Sequence, residues 1–218
     1  MPCRSVSALR RLFLVALLWL AAAVPAHAAV TVTFWSHELG ASFPHAFISF
    51  RGTPDAGGPP VDGNYGFTAT SITPGILFGE VDSEIYIAKP GYVASSDAQF
   101  AMTVSDAQYA DLLALIAEWG APEVRYSLPR RNCIHFVKEA ARRLGLTGLD
   151  QPKLMRKPRS YLKAVLAANR TRVTPIEQDG KTYLATLPPL PGAVPPVAAK
   201  ALDEQKDGRK KPAAPASN

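Results

Sequence analysis

One change of periodicity constrains what this chain can fold into. Up to residue 104 the apolar residues come in short runs separated by turn-forming residues, a pattern typical of strands. From Ser105 onward they recur at helical spacing. Strands are predicted at residues 30–35, 45–50, 64–70, 84–88 and 100–104, and a loop is predicted at 54–63, which holds three prolines and three glycines.

The first predicted helix begins with a capping box formed by Ser105 and Gln108. Its apolar stripe ends at Trp119, and Gly120 stops it. Farther along the chain, a short helix is predicted at residues 160–168. A hairpin that turns at Asp179-Gly180 is predicted at 174–185, and a disordered tail rich in Pro, Ala and Lys at 188–218.

The second predicted helix spans residues 132–144 and carries a cysteine at its start. Asn132 is a good N-cap, and Gly145 stands where a left-handed residue commonly ends a helix. The apolar face consists of Cys133, Phe136, Val137, Ala140, Ala141 and Leu144. This pattern predicts a helix that packs on the strands through the same face that carries the thiol.

The N-terminus predicts a secretory signal peptide over residues 1–28. Arg4, Arg10 and Arg11 precede an apolar run of 13 residues at 12–24, and Ala26-His27-Ala28 supplies small residues for cleavage after Ala28. A retained membrane anchor is the alternative. We therefore expect one exported domain over residues 29–187, located in the periplasm or outside the cell, with no transmembrane segment after cleavage.

Charge and motifs narrow the classes of partner. Loss of the signal leaves 21 basic against 18 acidic residues, a mild excess, and no phosphate loop or nucleic-acid motif is present, so nucleic acid is not an expected partner. Three histidines and one thiol lack metal-ligand spacing, so neither metal nor cofactor is expected.

Nine basic residues lie within 142–172: Arg142, Arg143, Lys153, Arg156, Lys157, Arg159, Lys163, Arg170 and Arg172. They predict either a surface that binds an anionic component of the cell envelope or a solvated basic helix.

Cys133 is a candidate nucleophile. Cys3 leaves with the signal, so the exported chain keeps one thiol, which is a liability in an oxidising compartment unless it has a use. The alternative is an inert cysteine packed as a small hydrophobe. The free N–H groups of the first helical turn, with Arg130 and Arg131 upstream, predict a lowered thiol pKa and an oxyanion-hole donor at the Cys133 N–H.

The candidate general base is a histidine on a strand. His45 opens a well-formed strand, whereas His37 lies in a polar, turn-like segment, so His45 is preferred and His37 is the alternative. His135 lies two residues after Cys133 and points to another side of the helix.

Two segments together resemble a known family. The stretch at 126–137, Y-S-L-P-R-R-N-C-I-H-F-V, resembles the Y-x-L…N-C-x-x-F-V stretch of circularly permuted papain-like proteins. These belong to the NlpC/P60 superfamily and are related to lecithin retinol acyltransferase. The segment at 45–50, H-A-F-I-S-F, is similar to the histidine-bearing strand of that family, and the match spans residues 30–145.

The resemblance implies an α+β papain-like fold, an antiparallel sheet with the nucleophile helix packed on it. It also implies a third polar residue on the strand after His45. Asn64 is the choice for that role, because its amide can accept from the imidazole N–H, and Tyr65 and Thr68 are alternatives. Family members usually have histidine there, and Ile134 replaces the acidic residue of the vertebrate enzymes.

Three functions follow as hypotheses. The leading one is an exported cysteine hydrolase in which His45 deprotonates Cys133 for attack on an amide bond, with cell-wall peptides as substrate. The second is a lipid or thioester acyl hydrolase or transferase that uses the same residues. The third is a non-catalytic envelope-binding protein on the same scaffold.

Overall fold

The computed structural model describes residues 29–38, 44–71 and 74–196 and has an α+β architecture. The strands are β1 (Val30–His37), β2 (His45–Gly52), β3 (Val61–Ala69), β4 (Val81–Tyr86), β5 (Asp97–Val104), β6 (Arg125–Tyr126) and β7 (Thr174–Asp179). The helices are α1 (Pro90–Ala94), α2 (Asp106–Gly120), α3 (Cys133–Arg143), α4 (Pro158–Ala168) and α5 (Gly180–Thr186). Short 3-10 turns lie at Pro74–Leu77 and Pro152–Leu154.

The strands form one antiparallel sheet in the order β6-β4-β3-β2-β1-β5-β7. Because side chains alternate along a strand, β2 sends Ala46, Ile48 and Phe50 to one face, where they join the main core with α3. Phe47 points to the other face and joins Trp35 in a smaller cluster. The predicted antiparallel sheet with the cysteine helix packed against it is confirmed.

Both predicted helix caps are confirmed. Ser105 and Gln108 form a reciprocal capping box at the start of α2. The Asn132 Oδ1 atom accepts hydrogen bonds from the backbone N–H groups of Ile134 and His135 at 2.8 and 3.2 Å. Gly145 follows α3 with φ of +71°, a left-handed conformation that favours glycine. Local cap chemistry therefore sets the bounds of α2 and the start of α3.

The predicted hairpin at 174–185 is wrong in its second half. Residues 174–179 form β7, which pairs with β5, but the chain then turns into α5. Asp179 caps this helix by accepting from the Thr182 N–H at 3.0 Å. A Cβ at position 180 would lie 2.3 Å from the Val93 carbonyl oxygen. The Asp-Gly pair therefore marks a helix start packed closely on α1, where the sequence suggested a two-residue turn.

The domain extends beyond its predicted end. The sequence predicts a disordered tail from residue 188 onward, yet Val194 pairs in parallel with Val61 at the start of β3. The Asp62 N–H donates to the Val194 carbonyl at 3.0 Å, and the Val194 N–H donates to the Pro60 carbonyl at 2.9 Å. The predicted loop at 54–63 is likewise shorter, because β3 begins at Val61.

Two terminal predictions lie outside the described residues: the signal peptide at 1–28 and the tail from 197 onward. Within residues 29–38, 44–71 and 74–196, no helix combines the length and the apolar character needed to cross a bilayer.

Candidate active site

A cavity of about 780 Å³ lies at the end of the sheet where β2 begins and β3 ends. Cys133 and His45 both line it. Much of its wall is apolar and aromatic, including Ile76, Leu77, Leu128, Met155, Tyr86 and Tyr126. This arrangement places the two principal predicted residues in one concave site that is large enough for a small-molecule or chain-end substrate.

The Cys133 sulfur lies at the meeting point of α3 and β2. Backbone N–H groups of Cys133 and Ile134, at the start of α3, act on the sulfur together with the N–H of Ala46 in β2. These donors lower the thiol pKa, as the helix position predicted. The Ala46 donor comes from the residue next to His45, so the strand as well as the helix supplies polar hydrogens to this atom.

Burial nevertheless decides the protonation state of the thiol. Cys133 is only 7% exposed, and desolvation raises its pKa to about 11 despite the three N–H groups. The predicted lowering of the pKa is therefore wrong in net direction. The thiol is neutral at physiological pH, because the main core packs around the start of α3 and leaves the sulfur little contact with water.

The His45 ring lies on the face of the sheet opposite α3. It packs 6.2 Å from the Phe47 ring and 6.0 Å from the Tyr86 ring, measured between centroids. Its Nε2 atom lies above Gly66 of β3, where a Cβ would come within 2.3 Å of that nitrogen. Gly66 therefore makes room for the imidazole.

Burial also keeps the imidazole neutral. His45 is 8% exposed, and its Nε2 has no hydrogen-bond partner among the described residues. Desolvation, with a smaller contribution from the charge of His37, lowers the His45 pKa from 6.5 to about 4. A neutral imidazole with a free ring nitrogen can accept a proton, but a pKa of about 4 makes it a weak base toward a thiol whose pKa is about 11.

Cys133 and His45 line one cavity, but the described residues show no hydrogen bond between them. The His45 Nε2 atom, which lies over Gly66, has no hydrogen-bond partner within these residues. The alternative base, His37, is the last residue of β1. Its Nδ1 atom pairs with the Ser96 hydroxyl at 3.1 Å, and its ring stacks on Tyr92. His37 does not line the cavity, so the placement favours His45.

Asn64 is placed away from the imidazole. Its Nδ2 donates to the Ala88 carbonyl at 3.0 Å, and its Oδ1 accepts from the Ala88 N–H at 2.7 Å. Both ends of the amide therefore hold the segment after β4. These bonds give no support to the predicted role of Asn64 in orienting His45.

Of the alternatives, Thr68 is better placed than Tyr65. The β2–β3 pairing ends at Phe47 and Gly66, and the same register extended by two residues puts Thr68 on the face that carries His45; Thr68 also lines the cavity. Tyr65 points into the main core on the α3 face, where its hydroxyl has no hydrogen-bond partner among the described atoms. Glu84 pairs with Thr68 across β3 and β4 and also lines the cavity.

Sequence reasoning missed the residues that shape this site. Gly66 is a glycine inside a strand, a signal of close approach that could have been recognised. Asn132 was identified as a cap only, yet its Nδ2 also donates to the carbonyls of Leu128 and Met155, each at 2.8 Å. His135 completes the cap of α3 by bonding Asn132, which explains its position beside the cysteine.

The described part of the chain contains no group of three His, Cys, Asp or Glu side chains that could hold a metal ion.

Comparison of the chain with protein-family models, curated proteins and solved structures finds no match to any of them.

Proposed function

We propose that this protein is an exported cysteine-dependent acyl hydrolase of the permuted papain-like type, in which Cys133 attacks a carbonyl carbon. The observation that carries the proposal is the position of the sulfur. It lies in the wall of a large cavity, beside three backbone N–H groups, and His45 lines the same cavity. A nucleophile, hydrogen-bond donors and a candidate base are the parts that acyl transfer requires.

The reaction begins from a neutral thiol and a neutral imidazole. For attack, a His45 ring nitrogen must come within hydrogen-bonding distance of the sulfur across the cavity that both residues line. The imidazole nitrogen then takes the thiol proton as the sulfur–carbon bond forms. The carbonyl oxygen becomes negatively charged, and the N–H groups of Cys133 and Ala46 supply donors for it. The imidazolium returns its proton to the leaving amine or alcohol as the carbon–nitrogen or carbon–oxygen bond breaks, and water then hydrolyses the thioester and restores the thiol.

The leading substrate class is an amide bond in cell-wall peptides, which follows from the predicted compartment. A second class, an ester or thioester of an apolar acyl chain, is favoured by one observation. Ile76, Leu77, Leu128 and Met155 line the cavity, and aliphatic side chains suit an acyl chain better than a polar peptide.

Purified protein tested on two substrates separates these classes. Peptidoglycan fragments are analysed by mass, and fatty acid release is measured from phosphatidylglycerol vesicles. Cys133→Ala and His45→Ala should each abolish the activity. His37→Ala should retain it, because His37 is bound to Ser96 outside the cavity.

Release of wall peptides supports the amide substrate, and release of fatty acid supports the acyl ester. If Cys133→Ala released product from either substrate at the wild-type rate, this thiol would be excluded as the nucleophile. No product from wild type on either substrate would favour the non-catalytic binding protein.

A further inference from the structure

An exposed apolar turn lies at the rim of the cavity. Leu77 is 65% exposed and Phe78 is 87% exposed, the two largest values among the large apolar side chains of the described residues. The turn has a fixed shape, because the N–H groups of Phe78 and Gly79 both donate to the Gly75 carbonyl at 3.1 and 3.0 Å. The preceding residue, Ile76, packs against the main core. The chain therefore holds two large apolar side chains in solvent on an anchored turn.

The basic segment at 142–172 contains far less free charge than its composition suggests. Five of its nine cations form ion pairs with carboxylates: Arg142, Arg143, Arg159, Lys163 and Arg170. Arg172 donates to the Gly145 carbonyl. The broad cationic surface predicted from sequence is thus largely neutralised.

The three remaining cations, Lys153, Arg156 and Lys157, form what we call the cationic cluster. All three are exposed, and within the described part of the chain none has an ion-pair partner. They lie in and just after the 3-10 turn at Pro152–Leu154, and Arg156 lines the same cavity as Leu77. Free positive charge and exposed apolar surface therefore meet at one cavity mouth.

We propose that the apolar turn and the cationic cluster form a docking surface for an anionic lipid bilayer, with the cavity mouth facing the lipid. Phe and Leu side chains beside Lys and Arg are the chemistry that binds the interface of an anionic membrane, where the rings and aliphatic chains enter the acyl boundary and the cations meet the headgroups. An anionic wall polymer would engage the cations but would leave Phe78 in water. The bilayer accounts for both features at once.

This inference goes beyond the proposed function and does not require Cys133 to react. Nearby acids do not oppose it strongly, because Glu80 is paired with Arg130 at 3.2 Å.

The test is co-sedimentation of the purified chain, its N-terminus established by intact mass, with vesicles of phosphatidylglycerol and phosphatidylcholine and with vesicles of phosphatidylcholine alone. We expect wild type to bind the anionic vesicles more tightly. The double variant Leu77→Gln/Phe78→Gln should bind at least about tenfold more weakly. In Arg156→Glu/Lys157→Glu the affinity for anionic vesicles should fall about fivefold for each cation removed, and further because negative charge is added.

Matched controls lie away from the cavity. Leu184→Gln changes another exposed apolar side chain, and Lys181→Glu reverses an exposed charge on the same helix, α5. Both should bind vesicles as wild type does. Circular dichroism and thermal unfolding of each variant should match wild type, since every substituted side chain is exposed.

Vesicle binding that is unchanged in Leu77→Gln/Phe78→Gln would overturn the proposal. So would equal losses in the Leu184→Gln control, or binding to a soluble polyanion such as polyglutamate with none to vesicles. Because vesicle binding is measured without turnover, failure here leaves the proposed hydrolase to be judged by its own assay, and the reverse also holds.

Discussion

The buried imidazole of His45 should make the stability of this protein sensitive to acid. Burial lowers the His45 pKa from 6.5 in the unfolded chain to about 4 in the folded state. Unfolding therefore takes up a proton between these two values, and the contribution to stability is complete above pH 6.5 and lost as the pH falls through 4. At about 1.4 kcal/mol per pKa unit, the loss between pH 7 and pH 4 is about 3 kcal/mol.

Urea unfolding followed by tryptophan fluorescence at pH 4 to 7 measures this loss. His45→Gln and His45→Phe remove the titrating group in two ways, one polar and one that can pack on Phe47. Between pH 7 and pH 4, the free energy of unfolding should fall by about 3 kcal/mol less in each variant than in wild type. Paired carboxylates such as Glu139, whose pKa is lowered mainly by its hydrogen bond to Arg142, contribute equally in all three proteins. Parallel pH profiles for wild type and both variants would refute burial of the imidazole.

Three further outcomes are expected. Alkylation of Cys133 by iodoacetamide should rise with pH toward about 11, because burial raises the thiol pKa to that value; a rate midpoint below 8.5 would contradict this environment. Gly66→Ala should destabilise the fold by about 1–3 kcal/mol in thermal unfolding, because its Cβ would overlap the His45 ring, whereas Gly79→Ala, with open space around it, should not. Asn132→Ala should cost about 2–4 kcal/mol in urea unfolding, more than a cap alone, because it also leaves two backbone carbonyls without their donor, and a loss near 1 kcal/mol would indicate that water replaces those bonds.

The helices and their caps could be predicted from sequence because the information is local. Asn132 and Gly145 bracket α3, and Ser105 begins α2, through bonds that span only a few residues. The pairing of the segment around Val194 was not predictable in the same way. Val194 pairs with Val61 across more than a hundred residues, and a segment rich in proline gives no periodic signal of such pairing.

Cys133 and His45 were predictable as neighbours in one site, whereas the place of Asn64 and the geometry of the site were not. The helix pattern placed Cys133 at the first turn, and the strand pattern placed His45 at the start of β2. Alternation along β2 sets the face on which the His45 side chain lies, but the space above Gly66 that receives its ring is a tertiary property. The balance between backbone N–H groups and burial at the sulfur likewise depends on how the main core packs around the start of α3.

The single amide of Asn132 connects the reactive end of α3 to two opposite parts of the cavity wall. Its oxygen fixes the helix start, and its nitrogen fixes Leu128 and Met155, both of which line the cavity. The backbone at Leu128 and Met155 is therefore tied to the start of α3. Loss of this one amide would loosen the helix cap and two segments of the cavity wall together.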